Sequence, residues 1–497
     1  MILTPRPAGA LGANGARADA PAAGESSIES GEQLSRQLSA GQLGMIAIGG
    51  AIGTGLFLGS ALAVRIAGPG VIVSYLIGAV IALLFMGALS EMAVAHPTAG
   101  SFGVYAEMYL NPWAGFTMRY TYWAAQCIAI GGEATAVAIY CRWWFPGTPA
   151  WLWILGFSIA LVAINARNVG TFGSFEYWFA MIKVVAIVLF IVLGLGLLLG
   201  VGPAPAIGLA NFSAHGGFLA TGWTGVWMAM VFVIFSFMGT EVVAVTAGEA
   251  KDPETAVPRA MRRTVGRLIL FYIGAITVLI GILPWTSIQP GSSITASPFV
   301  SVFRAVGIPA AAHVVNLVVI TAAASSMNCN LYMASRMLFS LARGGYAPAS
   351  LGRVSKRGTP LPALFASAGG LAVALVIAVI YPESAFQYLF GIALFGGLFV
   401  WLMIFLTHLA FRPRWIAENR GRLPLQLIGF PYTSIVGALA ILAILITTWW
   451  VAGMRIALVS GVPWLAILTI AYFFVARRRA ALRDAGRIEL VPTVPTA

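Results

Sequence analysis

Charged residues are scarce in this chain. Asp, Glu, Lys and Arg together make up 9% of its 497 residues, whereas hydrophobic residues make up 60%. Soluble domains carry about 25% charged residues, so this composition excludes an ordinary soluble protein. Apolar runs of about 20 residues, long enough to cross a bilayer, recur from Leu43 to Val475 with short polar connections. We therefore predict an all-α polytopic membrane protein with twelve transmembrane helices, surrounded by the lipid bilayer.

Cysteines and recognisable catalytic motifs are also scarce. The three cysteines, Cys127, Cys141 and Cys329, lie far apart, so neither a disulfide framework nor a zinc site is indicated. The four histidines show no metal-ligand spacing, and the chain contains no HExxH, GxSxG or phosphate-binding loop. The sequence therefore predicts no metal, no organic cofactor and no enzymatic activity.

Basic residues outnumber acidic ones, 29 to 16, which gives a net charge of +13. They form no stripe with interleaved aromatic residues, so we do not expect nucleic acid as a partner. They collect instead in alternate connections between apolar runs, for example from Lys251 to Arg267 and from Arg412 to Arg422. Because cytoplasmic loops are rich in Lys and Arg, we predict a multi-pass protein of the cytoplasmic (inner) membrane with both termini in the cytoplasm.

The chain divides into four regions. Residues 1–40 are rich in Ala, Gly, Pro and Ser and lack the apolar core of a signal peptide, so we predict a disordered cytoplasmic tail. Residues 41–411 hold ten spans, residues 412–476 hold spans 11 and 12, and residues 477–497 form a second cytoplasmic tail. The predicted spans lie at 43–64, 70–95, 114–145, 149–167, 173–201, 222–249, 260–287, 310–342, 362–381, 384–411, 431–453 and 457–476.

Spans 1 and 6 are interrupted at matching places. The glycine-rich stretch GGAIGTGLFLGS (49–60) opens span 1, and IFSFMGTEVV (234–243) interrupts span 6. A backbone that leaves the helix in lipid survives only where it lines a cavity, and such breaks commonly bind a ligand. If spans 1–5 and 6–10 are two repeats, their odd number forces opposite orientations. This pattern predicts a secondary transporter with a five-plus-five inverted repeat in residues 41–411.

The span 1 break is a candidate site for an anion. Backbone amides of Ile52, Gly53, Thr54 and Gly55 beside a helix N-terminus are potential donors to a carboxylate, and glycine permits close approach. The alternative is simple packing of small residues between helices. The second break in span 6 favours the binding interpretation.

The span 6 break is the complementary candidate. Carbonyls freed around Phe235, Ser236, Met238 and Gly239 would accept hydrogen bonds from an ammonium group. The two breaks together describe a site for a zwitterion, with Phe235 as an aromatic gate. The alternative is a glycine kink at Gly239 that binds nothing.

Lys183 lies in the middle of span 5, about ten residues from the nearer predicted end, or about 15 Å along the helix. A charged lysine there costs about 2.5 to 3.5 kcal/mol, so it needs a task or a partner. We predict that it carries the coupling proton. The alternative is a fixed ion pair, perhaps with Glu133.

Three further acids are candidates. Glu133 shares a face of span 3 with Gln126 and Tyr122; it carries a proton, contacts the substrate or makes a structural hydrogen bond. Glu241 follows the span 6 break, and Glu249 ends that span; both are assigned to gating, with a helix-end salt bridge as the alternative for Glu249. The polar stretch 321–330 of span 8 is interpreted as bonding to neighbouring helices.

Five stretches in the same order resemble one known family. They are GGAIGTGLFLGS, HPTAGSFGVYAE, FAMIKVVAI, FSFMGTEVVAVTAGEAKDPETAVPRA and SRMLFSLARGGYAP. The chain resembles, over residues 36–475, bacterial amino acid permeases of the amino acid transporter family in the amino acid, polyamine and organocation superfamily. The resemblance implies a twelve-span, leucine-transporter-like fold and symport of an amino acid with a proton, which would be the only coupling ion.

The resemblance also implies roles for particular residues. The GTG motif of span 1 (Gly53–Gly55) would receive the substrate carboxylate, and the carbonyls of span 6 would meet its amino group. Lys183 would stand between spans 1, 5 and 8, where sodium-coupled relatives keep a cation. Glu133 and Glu241 match acidic positions implicated in binding or coupling.

The substrate we expect is a neutral amino acid, since no pair of extra acids marks a pocket for a cationic side chain. The alternatives are an amino acid exchanger and, more distantly, a receptor that binds an amino acid without flux. The oligomeric state is not indicated by the sequence.

Replacing Lys183 with Met should abolish proton-driven accumulation while part of substrate binding is retained, because Met cannot carry a proton. Uptake into proteoliposomes under an imposed pH gradient measures this effect. Lys356→Met, in the loop after span 8, is the matched control and should accumulate substrate normally. Undiminished uphill uptake by the Lys183→Met variant would show that Lys183 does not couple.

Overall fold

The computed structural model describes residues 34, 37–98, 100–201, 206–251, 253–288, 299–300, 302, 309–381, 385–421, 423 and 425–484. Within these ranges the chain is predominantly helical, and an isolated parallel β-bridge joins Leu38 to Ala250. The α-helices are α1 (Ala40–Ala51), α2 (Ser60–Ala67), α3 (Val71–Ala95), α4 (Ser101–Tyr109), α5 (Pro112–Trp144), α6 (Ala150–Asn165), α7 (Val169–Leu199), α8 (Gly222–Phe237), α9 (Val242–Val245), α10 (Pro253–Ile282), α11 (Pro309–Arg343), α12 (Leu361–Ile380), α13 (Ala385–Ala417), α14 (Tyr432–Thr447) and α15 (Ile456–Asp484).

Eight helical stretches of the described chain are long and apolar enough to cross a membrane: Gly55–Ala95, Pro112–Trp144, Val169–Leu199, Gly222–Glu249, Thr255–Ile282, Ala312–Arg343, Ala385–Ala417 and Ile456–Asp484. Four shorter apolar helices, at Ala40–Ala51, Ala150–Asn165, Leu361–Ile377 and Tyr432–Thr447, lie where spans 1, 4, 9 and 11 are predicted. The prediction of an all-α polytopic membrane protein is confirmed. The count of twelve spans stays a prediction.

The outer helices expose large apolar side chains. Trp178 on α7 is 66% exposed and Phe474 on α15 is 72% exposed, and many Leu, Ile and Val side chains of α6, α7, α12, α14 and α15 are exposed as well. A soluble monomer rarely presents apolar surface of this extent. These faces therefore suit contact with lipid, whereas inside the protein α5 packs against α11, α1 packs against α10 and α11, and α8 packs against α2 and α3.

The break in span 1 is shorter than the glycine pattern predicts. Gly49 and Gly50 are the last helical glycines of α1, and the backbone leaves the α-helix at Ile52 and Gly53. A π-helical turn over Gly55–Gly59 then leads into α2. The predicted unwound stretch that began at Gly49 was therefore wrong at its start. Groups of neighbouring elements pack directly against Gly49 and Gly50, so a larger residue would not fit at these helical positions.

The break in span 6 lies where the sequence places it. Helix α8 ends at Phe237, Met238 is extended (ψ 152°), and Gly239 has φ +94°. The chain then resumes in the short helix α9 and a 3-10 turn over Thr246–Glu249. The turn that follows the helix requires glycine at position 239, because glycine adopts this positive φ without strain.

The two predicted tails fall mainly outside the described residues. At the end of the first, Leu38 is buried; its amide donates to the Glu249 carbonyl (3.1 Å), and its carbonyl accepts from the Lys251 amide (3.1 Å). At the start of the second, α15 continues through residue 484, and Arg479 forms an ion pair with Glu107 of α4. The four-part division of the chain stays a prediction.

Candidate functional site

The two breaks cross in direct contact. A Cβ atom built on Gly239 would lie 2.5 Å from the carbonyl oxygen of Gly50, and one built on Gly50 would lie 3.2 Å from the Gly239 oxygen. The hydroxyl of Tyr272, on α10, lies 3.0 Å from the Ala51 carbonyl oxygen and 2.6 Å from that of Ser236. The single hydroxyl of Tyr272 thus lies within hydrogen-bond distance of one carbonyl oxygen of each break. No sequence pattern singled out this tyrosine, which lies in an apolar run.

A cavity of about 530 Å³, counting the part open to solvent, lies beside this crossing. Its lining combines both breaks with one face each of α5, α11 and α13. It suits a small polar molecule with an apolar part, since it mixes backbone and carboxylate groups with alanines and a methionine. The lining residues are Gly50, Ala51, Gly53, Gly55, Ala125, Gln126, Ala129, Glu133, Phe235, Met238, Gly239, Glu241, Ser326, Asn330, Ala393 and Gly397.

The remaining predicted site residues do not line the cavity. Ile52, Thr54 and Ser236 contribute backbone groups to contacts behind it, and Lys183 and Glu249 lie elsewhere. Both predicted segments therefore line the cavity, but not every predicted residue within them does. The reason is that a broken helix turns only some of its groups toward any one side.

The Glu133 carboxylate occupies the span 1 break. Both of its oxygens lie 3.3 Å from the backbone nitrogen of Thr54, and the carboxyl group is almost fully buried. The Gly53 amide is also used, since it donates to the Ala51 carbonyl at 3.2 Å. The Thr54 amide, which was predicted to donate to the carboxylate of a ligand, therefore donates to a carboxylate of the protein itself.

Carbonyls of the span 6 break are partly occupied too. The Phe235 carbonyl accepts from the Met238 amide (3.1 Å), and the Ser236 carbonyl accepts from Tyr272. Glu241 stabilises the turn, because its carboxylate accepts from the Gly239 amide at 3.0 Å and from the Tyr122 hydroxyl at 3.0 Å. These bonds give Glu241 a structural contact; its assignment to gating stays a prediction.

Lys183 is fully buried behind the first break. Its ammonium nitrogen donates to the carbonyls of Gly49 and Ile52, each at 2.7 Å. These two carbonyls belong to the end of α1, where helical partners run out. Lys183 bonds to these backbone oxygens and forms no direct ion pair with Glu133, which was the alternative.

Glu249 forms the helix-end salt bridge that was the alternative to a gate. Its carboxylate accepts from Arg336 (Nε at 2.8 Å, Nη2 at 3.3 Å) and from the Tyr332 hydroxyl at 2.7 Å, all three side chains being buried. The pair ties the end of span 6 to α11. Whether it opens during transport is untested, so its gating role stays a prediction.

Phe235 is partly buried and lines the cavity, with its ring centroid 4.0 Å from that of Phe390 on α13. A Cβ atom built on Gly55 would lie 3.1 Å from the Phe235 ring, so the ring spans from span 6 to span 1. This position is suitable for a gate. Movement of the ring stays a prediction.

Glu176 on α7 is a buried acid that the sequence reasoning missed. Its carboxylate is fully buried; it accepts from the Ser325 hydroxyl and, at 3.1 Å, from the side-chain amide of Asn328. A signal was present, since a glutamate in the apolar run of span 5 lies seven residues before Lys183 and therefore on the same helical face. The polar stretch of span 8 thus does bond to a neighbouring helix.

Gly239→Ala should destabilise the protein by about 2 kcal/mol or more, because alanine is strained at φ +94° and its Cβ would clash with the Gly50 backbone. Thermal unfolding of the purified protein in detergent measures this loss. Gly156→Ala is the matched control, because this glycine is helical and nothing lies within 4 Å of an added Cβ. The free energy of unfolding of this variant should rise by up to about 1 kcal/mol. Equal unfolding temperatures for both variants would contradict the described crossing.

Comparison with known proteins identifies the family of this chain. A family model described as amino acid permease matches residues 42–483. The uncharacterized amino acid permease YtnA of Bacillus subtilis (strain 168) is 38% identical over 444 residues, which cover 89% of this chain and 95% of YtnA. The aromatic amino acid transport protein AroP is 40% identical in Escherichia coli (strain K12), covering 91% of this chain and 98% of AroP, and 40% identical in Salmonella typhimurium (strain SL1344), covering 90% and 96%.

These matches extend over nearly all of the described chain and include both breaks and the cavity. They confirm the family expected from the five sequence stretches. With its apolar helices, the chain belongs to the amino acid permease family of the amino acid, polyamine and organocation superfamily, and it is a multi-pass membrane transporter rather than an enzyme.

Proposed function

We propose that this protein imports a neutral amino acid across the cytoplasmic membrane by proton symport, through alternating access around the central cavity. The observation that carries the proposal is the convergence of two broken helices on one cavity, with Glu133 and Glu241 in its lining. Breaks of this kind supply donors to an anionic group on one side and acceptors for a cationic group on the other. An α-amino acid has both groups.

The proposed arrangement is a leucine-transporter-like fold of twelve spans with spans 1–5 and 6–10 as inverted repeats. Each set of five begins with a broken helix, at Ile52–Gly53 in the first and at Met238–Gly239 in the second. The basic connections support an orientation with both termini in the cytoplasm. Substrate would then enter from the opposite face.

Glu133 supplies a physical reason for proton coupling. The Thr54 amide that should receive the substrate carboxylate is bonded to the Glu133 carboxylate. Two carboxylates cannot share a buried site while both are ionised. The incoming substrate therefore displaces Glu133, and the displaced side chain takes up a proton. Substrate and proton would bind together for this reason.

Lys183 supplies the second element of coupling. Its two bonds to Gly49 and Ile52 hold the end of α1 against α7. Loss of its proton removes the positive charge that makes these bonds strong. The protonation state of Lys183 would thereby control whether the first half of span 1 is held in place.

The side-chain part of the cavity favours an apolar substrate, and an aromatic amino acid is the first candidate. Ala125, Ala129, Ala393 and Gly397 leave space, and Met238 offers a deformable apolar contact. The two glutamates in the lining are already bonded to protein groups, so they offer no free pair for a cationic side chain. AroP relatives, described as aromatic amino acid transport proteins, agree with this choice.

A transport panel tests the proposal. Purified protein in proteoliposomes is assayed with the twenty amino acids and γ-aminobutyrate, with and without an imposed pH gradient that is alkaline inside. We expect accumulation of Phe, Tyr or Trp that requires the pH gradient. Uptake that ignores the gradient but accelerates with internal amino acid would indicate an exchanger. Saturable binding without flux would indicate a receptor, and uptake of Lys or Arg alone would overturn the neutral substrate.

Glu133→Gln should separate binding from coupling. Glutamine is neutral at every pH, so substrate affinity should depend less on pH between about pH 6 and pH 8 than in the unmodified protein, while accumulation driven by the pH gradient is lost. Equilibrium binding to the purified variant and uptake into proteoliposomes measure the two effects. Gln126→Glu is no suitable control, because it adds a charge to the cavity; Glu418→Gln, outside the cavity lining, should behave like the unmodified protein. Wild-type accumulation by Glu133→Gln would contradict the mechanism.

A further inference from the structure

Glu176 is a buried carboxylate to which the proposed mechanism gives no task. Its two oxygens accept from Ser325 and Asn328 of α11, and the Asn328 side-chain oxygen accepts in turn from the Asn165 amide of α6 at 2.7 Å. The Ser325 hydroxyl and the Asn328 side-chain amide both donate to the carboxylate. Such an arrangement suits the ionised form, which only accepts hydrogen bonds.

An ionised carboxylate in the membrane interior requires a positive charge nearby. Among the residues that the structure describes, no Lys, Arg or His lies within 4.0 Å of Glu176. Lys183 supplies such a charge, since it lies two turns further along the same face of α7 and its ammonium nitrogen bonds the carbonyl of Gly49, against which the Glu176 carboxylate packs. The other ionisable groups facing this pair are Cys329 of α11 and Glu133 of α5.

Glu176 and Lys183 both act on one residue of the broken helix. The Lys183 ammonium donates to the Gly49 carbonyl, and a Cβ atom built on Gly49 would overlap the Glu176 carboxylate. Gly49 thus lies between the two charges, where only glycine leaves room. Lys183 also holds Ile52, at the point where the backbone leaves the helix.

We propose that Glu176 is the fixed counter-charge of Lys183, a positioning residue that keeps the proton on Lys183 and sets the pH range over which the transporter works. The proposal rests on the proposed function in which Lys183 carries a coupling proton. With Lys183 protonated the pair is neutral, and proton release leaves one uncompensated negative charge on Glu176. Release is therefore unfavourable unless another event, such as movement of span 1, accompanies it.

Glu176→Gln tests the electrostatic part of this proposal in transport. Gln keeps the size of the side chain but removes the charge, so the Lys183 ammonium becomes less stable. The alkaline limit of uptake, measured as the pH of half-maximal initial rate in proteoliposomes without a pH gradient, should move to lower pH by about one unit. Glu176→Asp, which keeps the charge, is the control and should leave this limit in place. An unshifted limit in Glu176→Gln would overturn the proposal.

A double-mutant cycle on stability tests the same pair without any need for transport. Lys183→Met leaves the Glu176 carboxylate buried without its counter-charge, so the thermal unfolding temperature should fall. Adding Glu176→Gln to Lys183→Met should raise that temperature again, although each single substitution lowers it in the unmodified protein. Additive losses would overturn the pairing.

The two experiments separate the two proposals. If uptake by the unmodified protein ignores the pH gradient, the proposed symport fails, yet the double-mutant cycle still decides whether Glu176 and Lys183 interact. If uptake follows the gradient but the cycle is additive, symport stands and the role of Glu176 falls. Lys356→Met, on an exposed loop residue, controls for the loss of a positive charge as such.

Discussion

Inside a bilayer, a backbone that leaves the helix must still find hydrogen-bond partners, and the central site of this protein is organised by that requirement. Carbonyls at the end of α1 accept hydrogen bonds from Lys183 and Tyr272, and the Thr54 amide donates to Glu133. In the second break, Glu241 takes the Gly239 amide. Each break therefore persists because side chains of other helices, or of the turn itself, replace the bonds of the lost helical turn.

The same side chains carry the charge of the site. Lys183 and Glu133 are ionisable groups that also complete backbone hydrogen bonding of span 1. A change in their charge therefore changes the bonds that hold a broken helix, without any need for a long relay. This double use gives a direct physical link between the proposed uptake of a proton and the proposed movement of span 1.

Sequence patterns identified the segments of the site better than their partners. Glycine-rich interruptions located both breaks, and the cost of a charge in lipid singled out Lys183. The pattern did not reveal that Gly49 remains helical, that Tyr272 joins the two breaks, or which side chains bond to Glu176. Helical periodicity reports which residues share a face. It does not report which neighbouring helix covers that face, and the partners of all three residues lie on other helices.

By itself, the sequence determined the membrane environment, the helical class, the family and the places where two spans break, because these follow from local composition and short motifs. The tertiary structure alone decided that the breaks cross at Gly50 and Gly239, that Glu133 occupies the amide expected to bind a carboxylate, and that Lys183 bonds to carbonyls. These features join residues that are 79 or more positions apart in the chain. Packing between distant helices determines them, and no local pattern contains that information.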